Sequence, residues 1–125
     1  MKTIKIFLIL CIAATLFTAC SKDKENESIA GIWQGKWGSG SQEPQYFLKF
    51  NIESNGTLQR LDEQGQVIAN GTWTLDGIEF ECTYTHTDGQ VHKIAGLYTD
   101  FDGTIIGTWG YHPSKANGGE IELKK

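Results

Sequence analysis

Residues 66–86 read QVIANGTWTLDGIEFECTYTH, and their alternation decides the fold. Val67, Ala69, Gly71, Trp73 and Leu75 take every second position up to Asp76-Gly77. Beyond that pair Ile78, Phe80, Cys82, Tyr84 and His86 alternate with Glu79, Glu81, Thr83 and Thr85. A period of two marks a strand with one face buried, and Asp-Gly between two such runs marks a hairpin. A two-residue turn at Asp76-Gly77 pairs Leu75 with Ile78 and sets both apolar rows on one face.

The same alternation continues on either side. YFLKFNIE (46–53) points Tyr46, Leu48, Phe50 and Ile52 inward. TIIGTWGYH (104–112) points Ile105, Gly107, Trp109 and Tyr111 inward, and EIELK (120–124) does so with Ile121 and Leu123. TLQRLD (57–62) and VHKIAGLYT (91–99) read as strands whose faces the pattern leaves open. With Ile29 to Gly38 as the first strand the count is about eight, and no stretch after Ile29 repeats its apolar residues at helical spacing. The expectation is an all-β domain, an eight-stranded antiparallel up-and-down β-barrel, because eight strands close around an interior that is filled or holds one small ligand. Closure also removes the sheet edges. A two-layer sandwich is the structural alternative. Gly31, Gly35, Gly71, Gly96 and Gly107, inside strands, suit the sharp bends of a narrow barrel.

The chain begins differently. Lys2 and Lys5 precede IFLILCIAATLF (6–17), an apolar run with the layout of an export signal. It is shorter than the roughly 18 to 20 residues a spanning helix needs. FTAC (17–20) resembles the lipobox of bacterial lipoproteins. That resemblance implies cleavage before Cys20 and acylation of Cys20. The expected organisation is a signal peptide (1–19), a lipidated cysteine with a polar tether (20–28), and the barrel (29–125). SKDKENES (21–28) has nothing to bury. KDKE resembles the export signal of surface lipoproteins of the Bacteroidota type, which implies anchoring to the outer membrane of a bacterial envelope, with the outer face favoured over the inner. Of three cysteines, Cys11 leaves with the signal and Cys20 carries lipid, so Cys82 has no partner and no disulfide is expected. The formal net charge is −4 and no basic residues cluster, which argues against nucleic acid.

GIW (31–33) resembles the G-x-W signature that opens lipocalins and their calycin relatives. GTWTLDG (71–77), DGTIIGTWG (102–110) and GGEIELKK (118–125) are similar to small lipocalin-like lipoproteins. The resemblance implies that Trp33 sits at the closed base of the barrel, beneath a basic residue that Lys124 or Lys125 could supply. Trp37 lies on the same face about 13 Å further along the strand, near the other rim.

Alternating strands place the connections at two ends. Asn55-Gly56, Asp76-Gly77 and DFDG (100–103) lie at one; GSGSQEPQ (38–45), EQGQ (63–66), TDGQ (87–90) and HPSKANGG (112–119) lie at the other. Longer loops frame a mouth, since binding groups are carried on loops of a rigid scaffold. The candidate ligand-binding residues are therefore Trp37, Tyr46, Tyr84, His86, His92, Trp109 and Tyr111, above a shaft of Phe50, Phe80 and Trp73. Aromatic rings with polar tips suit a small apolar or amphipathic molecule. One alternative is that the rings only fill the barrel. Another is a protein-binding module or enzyme inhibitor acting through the loop 38–45, whose GSGSQEPQY is distantly similar to a loop of lysozyme-inhibitor lipoproteins. Those usually carry a disulfide, which this chain cannot form.

His86, His92 and His112 could approach one another as zinc ligands, but no ligand-spacing motif supports a metal site, and hydrogen-bonded rim histidines are the expectation. A three-residue loop ending at Gly89 would turn His86 and His92 the same way; a two-residue turn would set them opposite. Glu79 and Glu81 read as solvated charge. Asp100, Asp102 and Gly103 lack the later ligands of a calcium loop. No nucleophile, catalytic residue or cofactor motif is read, so the chain is expected to bind rather than catalyse, with a membrane contact through Cys20 and a protein partner as the alternative.

Overall fold

The computed structural model describes residues 28–125. The signal peptide, Cys20 and nearly all of the 20–28 tether lie outside the described residues. Eight strands follow in order: β1 (Gly31–Trp37), β2 (Tyr46–Ile52), β3 (Thr57–Leu61), β4 (Val67–Asp76), β5 (Glu79–His86), β6 (Val91–Thr99), β7 (Thr104–Tyr111) and β8 (Gly119–Lys124). Each pairs antiparallel with the next, and β1 also pairs with β8 through Gln34↔Lys124 to Trp37↔Ile121, closing the barrel. Period-two patterning makes this solution favourable, since every strand has one apolar row to bury and closure leaves no unpaired edge.

The inner row carries the core. Trp33, Leu48, Phe50, Ile52, Leu58, Ile94, Ile105, Ile121 and Leu123 are almost fully buried, with Phe80, Cys82 and Tyr84 close behind. β6, open by pattern, turns His92, Ile94 and Tyr98 inward. β3 escapes a period-two reading because its register shifts between Arg60 and Leu61, the signature of a bulge: Arg60 pairs with Ala69 but Leu61 with Val67. Leu58 and Leu61, three positions apart, are thereby both buried. The narrow bore demands glycine where backbones press together. Gly107 faces Gly96 across β6 and β7, and a Cβ on Gly107 would lie 2.0 Å from the Ala95 carbonyl.

The ends of the expected inward rows need correction. Ile78 and Val67 are half exposed or more. The β4–β5 turn consists of Gly77 and Ile78, not Asp76 and Gly77, because Asp76 pairs with Glu79 and Leu75 with Phe80. Gly77 alone takes a positive φ, 62°, which fits a turn with glycine at its first central position. The shift of one residue moves Ile78 out of the ladder to the tip and leaves Phe80, Cys82 and Tyr84 facing inward.

Turn length separates the two ends less than expected. At Ser54–Gly56, Glu63–Gly65 and Thr87–Gly89 the hairpin is the same three-residue loop, closed by a pair of backbone hydrogen bonds, with its glycine at a φ of 82° to 92°. One of these lies at the base and two at the mouth. The asymmetry resides in the connections 38–45 and 112–118, which stand side by side and are bonded together through Gly40 N–H to the Gly118 carbonyl at 2.8 Å.

The base is plugged where the described chain begins. The Trp33 indole donates to the Ile29 carbonyl at 2.7 Å, and both residues are fully buried. Trp33 also meets Tyr98 edge-on, with centroids 5.9 Å apart. The Ser28 and Tyr98 hydroxyls both donate to the Asp100 carboxylate, at 2.5 and 2.8 Å. Of the two C-terminal lysines it is Lys125 that reaches this end, and its ammonium donates to the Ser28 carbonyl at 2.6 Å.

Candidate functional site

The opposite end is open, and one cavity of about 210 Å³ descends from it. It is lined by Trp37 (β1), Tyr84 (β5), His92 (β6), and Trp109 and Tyr111 (β7), by the aliphatic Leu48 and Ile121, and by Arg60 (β3) and Gln90. Phe50, expected in the shaft, packs edge-on beneath Tyr84 at 5.2 Å. Trp73 and Phe80 lie stacked in the core at 6.2 Å. None of the three lines the cavity.

The walls are an interlocked set of rings. His92 is 9% exposed and meets Tyr84, Trp109 and Tyr111 edge-on with centroids 5.1 to 5.5 Å apart. Trp109 meets Trp37 at 5.2 Å in the same manner. Edge-to-face contact satisfies the ring quadrupoles and fixes orientation, so the cavity is held in shape rather than collapsed. Trp109 is further tied by its indole N–H to the Gly38 carbonyl at 2.8 Å.

Of the seven expected residues, five line the cavity: Trp37, Tyr84, His92, Trp109 and Tyr111. Tyr46 does not. It is nearly half exposed and packs against Trp37 with centroids 4.6 Å apart. It sits at the first position of β2, above the level at which an inward side chain finds cover. His86 stands behind the cavity as a partner of its lining: its Nε2 lies 3.2 Å from His92 Nδ1 and 3.3 Å from Arg60 Nη1. The β5–β6 loop Thr87–Gly89 makes this possible, because its three residues keep the two imidazoles on one face. His112 lies apart on the exposed β7–β8 connection, and among the described residues no three metal-ligating side chains converge.

These contacts assign the tautomers, with the one in-plane lone pair of His86 Nε2 shared between two donors. A guanidinium can only donate, so His86 Nε2 accepts from Arg60. Two lone pairs facing each other at 3.2 Å would repel, so His92 Nδ1–H donates to the same atom. His92 Nε2 is then a lone pair, and it is buried with no hydrogen-bond partner. Both imidazoles are held neutral, their pKa values lowered first by burial. Arg60 lowers His86 further; His86 and Arg60 lower His92; Asp88 opposes in both cases.

Arg60 is the residue that the sequence pattern did not reveal. It is the chain's single arginine, and the bulge that carries it also hid its direction. Its guanidinium lies 5.9 Å from the centre of the Tyr84 ring, and it makes no ion pair among the described residues. The ion pair present, Lys115 with Glu81, lies on the outer wall, where Glu79 and Glu81 are both exposed.

The fold and this end of it define a closed eight-stranded antiparallel β-barrel with an aromatic cavity at its mouth. No protein-family model, curated protein or solved structure matches the chain.

Proposed function

We propose that this is a lipid-anchored envelope protein of lipocalin-like type, which binds a small apolar or amphipathic molecule in the mouth cavity and catalyses no reaction. The observation that supports it is the cavity itself, walled by oriented aromatic rings with few, converging polar groups, the usual composition of a small-molecule site. Its volume of about 210 Å³ is below the ~300 to 1,000 Å³ of drug-sized sites, so the occupant is small, on the scale of one or two rings. The sequence before residue 28 supports the rest: a charged, apolar, cysteine-ended leader fits lipid attachment at Cys20 and an address at the outer membrane.

The protein is isolated from its native envelope and analysed by mass spectrometry under native and denaturing conditions. Release of a stoichiometric small molecule, lost in Trp37→Ala, is expected. An empty cavity, with a protein retained through the loop 38–45, would replace this reading by that of an inhibitor or binding module. The anchor is checked by Cys20→Ala, which should move the protein from the detergent phase to the aqueous phase.

A further inference from the structure

We infer that the mouth cavity is built for a small aromatic acid, bound as its anion against Arg60 with uptake of one proton by His92. The inference rests on the small-molecule reading of the same cavity and specifies its ligand.

Two linked features lead to it. The first is a cation without a counter-charge. Arg60 lines the cavity, its guanidinium spends one contact on a neutral imidazole and lies over the Tyr84 ring, and no carboxylate pairs with it among the described residues. A forked donor set beside apolar walls matches a carboxylate, where a bidentate, charge-assisted contact is strongest. The second is a buried acceptor without a donor. His92 is over nine-tenths buried, lines the cavity, and leaves Nε2 unpartnered. Such an atom costs free energy unless something fills the space before it.

Together the two features prescribe the protonation. A carboxylate brought against the Nε2 lone pair would be repelled, whereas a protonated Nε2–H donates to it. Solvent supplies that proton, so one carboxylate and one proton enter together and no covalent bond changes. The groups facing His92 agree with this account. From β3 comes Arg60; from β5, Tyr84 and His86; from the β5–β6 turn, Asp88; from β7, Tyr111; β1, β2 and β8 contribute the uncharged Trp37, Leu48 and Ile121. Burial first, and then His86 and Arg60, keep His92 neutral in the empty cavity. An anion bound against Arg60 offsets the guanidinium's part of that opposition and raises the imidazole pKa, which is the condition for proton uptake.

The test uses the full chain in nanodiscs of neutral lipid and a panel of one- and two-ring aromatic carboxylates, each paired with its primary amide. Binding is read by tryptophan fluorescence and by calorimetry in buffers of different ionisation enthalpy. The carboxylates should bind at least about tenfold more tightly than the amides, with net uptake of up to one proton per ligand. Affinity should rise as the pH falls, by up to about tenfold per unit between the bound and free pKa values of His92, levelling off once His92 is protonated in the empty protein. Arg60→Gln should abolish the preference for the acid. His92→Gln should abolish the pH dependence and proton uptake while keeping that preference. Amides binding as tightly as acids would overturn the inference and leave the small-molecule reading standing. Failure of both series to bind, with nothing retained from the envelope, would overturn both. Preference for the acid without proton uptake would overturn the role of His92.

Discussion

The indole nitrogen of Trp109 on β7 donates to the carbonyl of Gly38, the first residue of the β1–β2 connection, at 2.8 Å. That bond fastens the two long mouth loops to the barrel wall. Gly118 completes the junction, since a Cβ there would lie 2.5 Å from the Trp109 ring. Trp109→Phe keeps most of the ring but leaves a buried carbonyl unpaired, at a cost of about 1 to 3 kcal/mol. The amides of Gly40 and Gly118 should lose protection in hydrogen exchange. Unchanged protection of both would mean that the loops are held by their own backbone bonds alone.

Trp33 and Trp37 occupy the two ends of β1. Trp33→Ala opens a cavity in the sealed base and leaves the Ile29 carbonyl without its donor, so a loss of about 3 to 5 kcal/mol is expected in denaturant unfolding. Trp37→Ala, at a half-buried position, should cost clearly less. In the native protein acrylamide should quench Trp37 and leave Trp33 untouched, which single-tryptophan variants can read.

Cys82 is 4% exposed between Phe80 and Tyr84 along β5, and burial pushes its thiol well above the ordinary range. A protonated, enclosed thiol is inert. Native protein should therefore react with a thiol reagent only at the rate at which the barrel opens, and denaturant should expose the group at once. Rapid labelling without denaturant would contradict the inward placement of this row.

His86 and His92 have folded pKa values below the ordinary 6.5. The unfolded chain then binds more protons than the folded one as the pH falls through about 6.5, so stability present above that value is lost below it, until the folded groups protonate in turn. Unfolding free energy measured from about pH 7.5 to 5.5 should decline, and the decline should be shallower in the His86→Gln and His92→Gln variants. An equal slope in the variants would assign the pH dependence to other groups.

Most of the barrel is legible in the sequence. Alternation in 46–53, 66–86, 104–112 and 120–124 encodes which row is buried, because side chains on a strand point to opposite faces and water rejects the apolar ones. The rows failed at their ends. Tyr46, Val67 and Ile78 fit the alternation, yet they stand at a strand end or turn tip and are about half exposed, and alternation carries no information about strand ends.

Of the five mouth residues found, Tyr84, Trp109 and Tyr111 extend those same rows upward, Trp37 continues the face of Trp33 along β1, and His92 was read from its place beside a mouth loop. Arg60 was missed for a different reason. Its strand reads with two leucines three apart, a spacing that fits neither face until a bulge supplies the extra residue. Whether His86 and His92 would meet was left to the choice between two loop lengths, since a change of one residue reverses every side chain beyond it.

The sequence by itself therefore determined the all-β class, the approximate strand count, the buried rows and the aromatic character of one end, all of which follow from local alternation and turn chemistry. Closure of β8 onto β1, the junction of the two long loops at Trp109, and the meeting of Arg60, His86 and His92 were decided only by the tertiary structure. These depend on registers between strands far apart in the chain, set by one bulge, one turn and the close approach of glycines, and no local pattern encodes them.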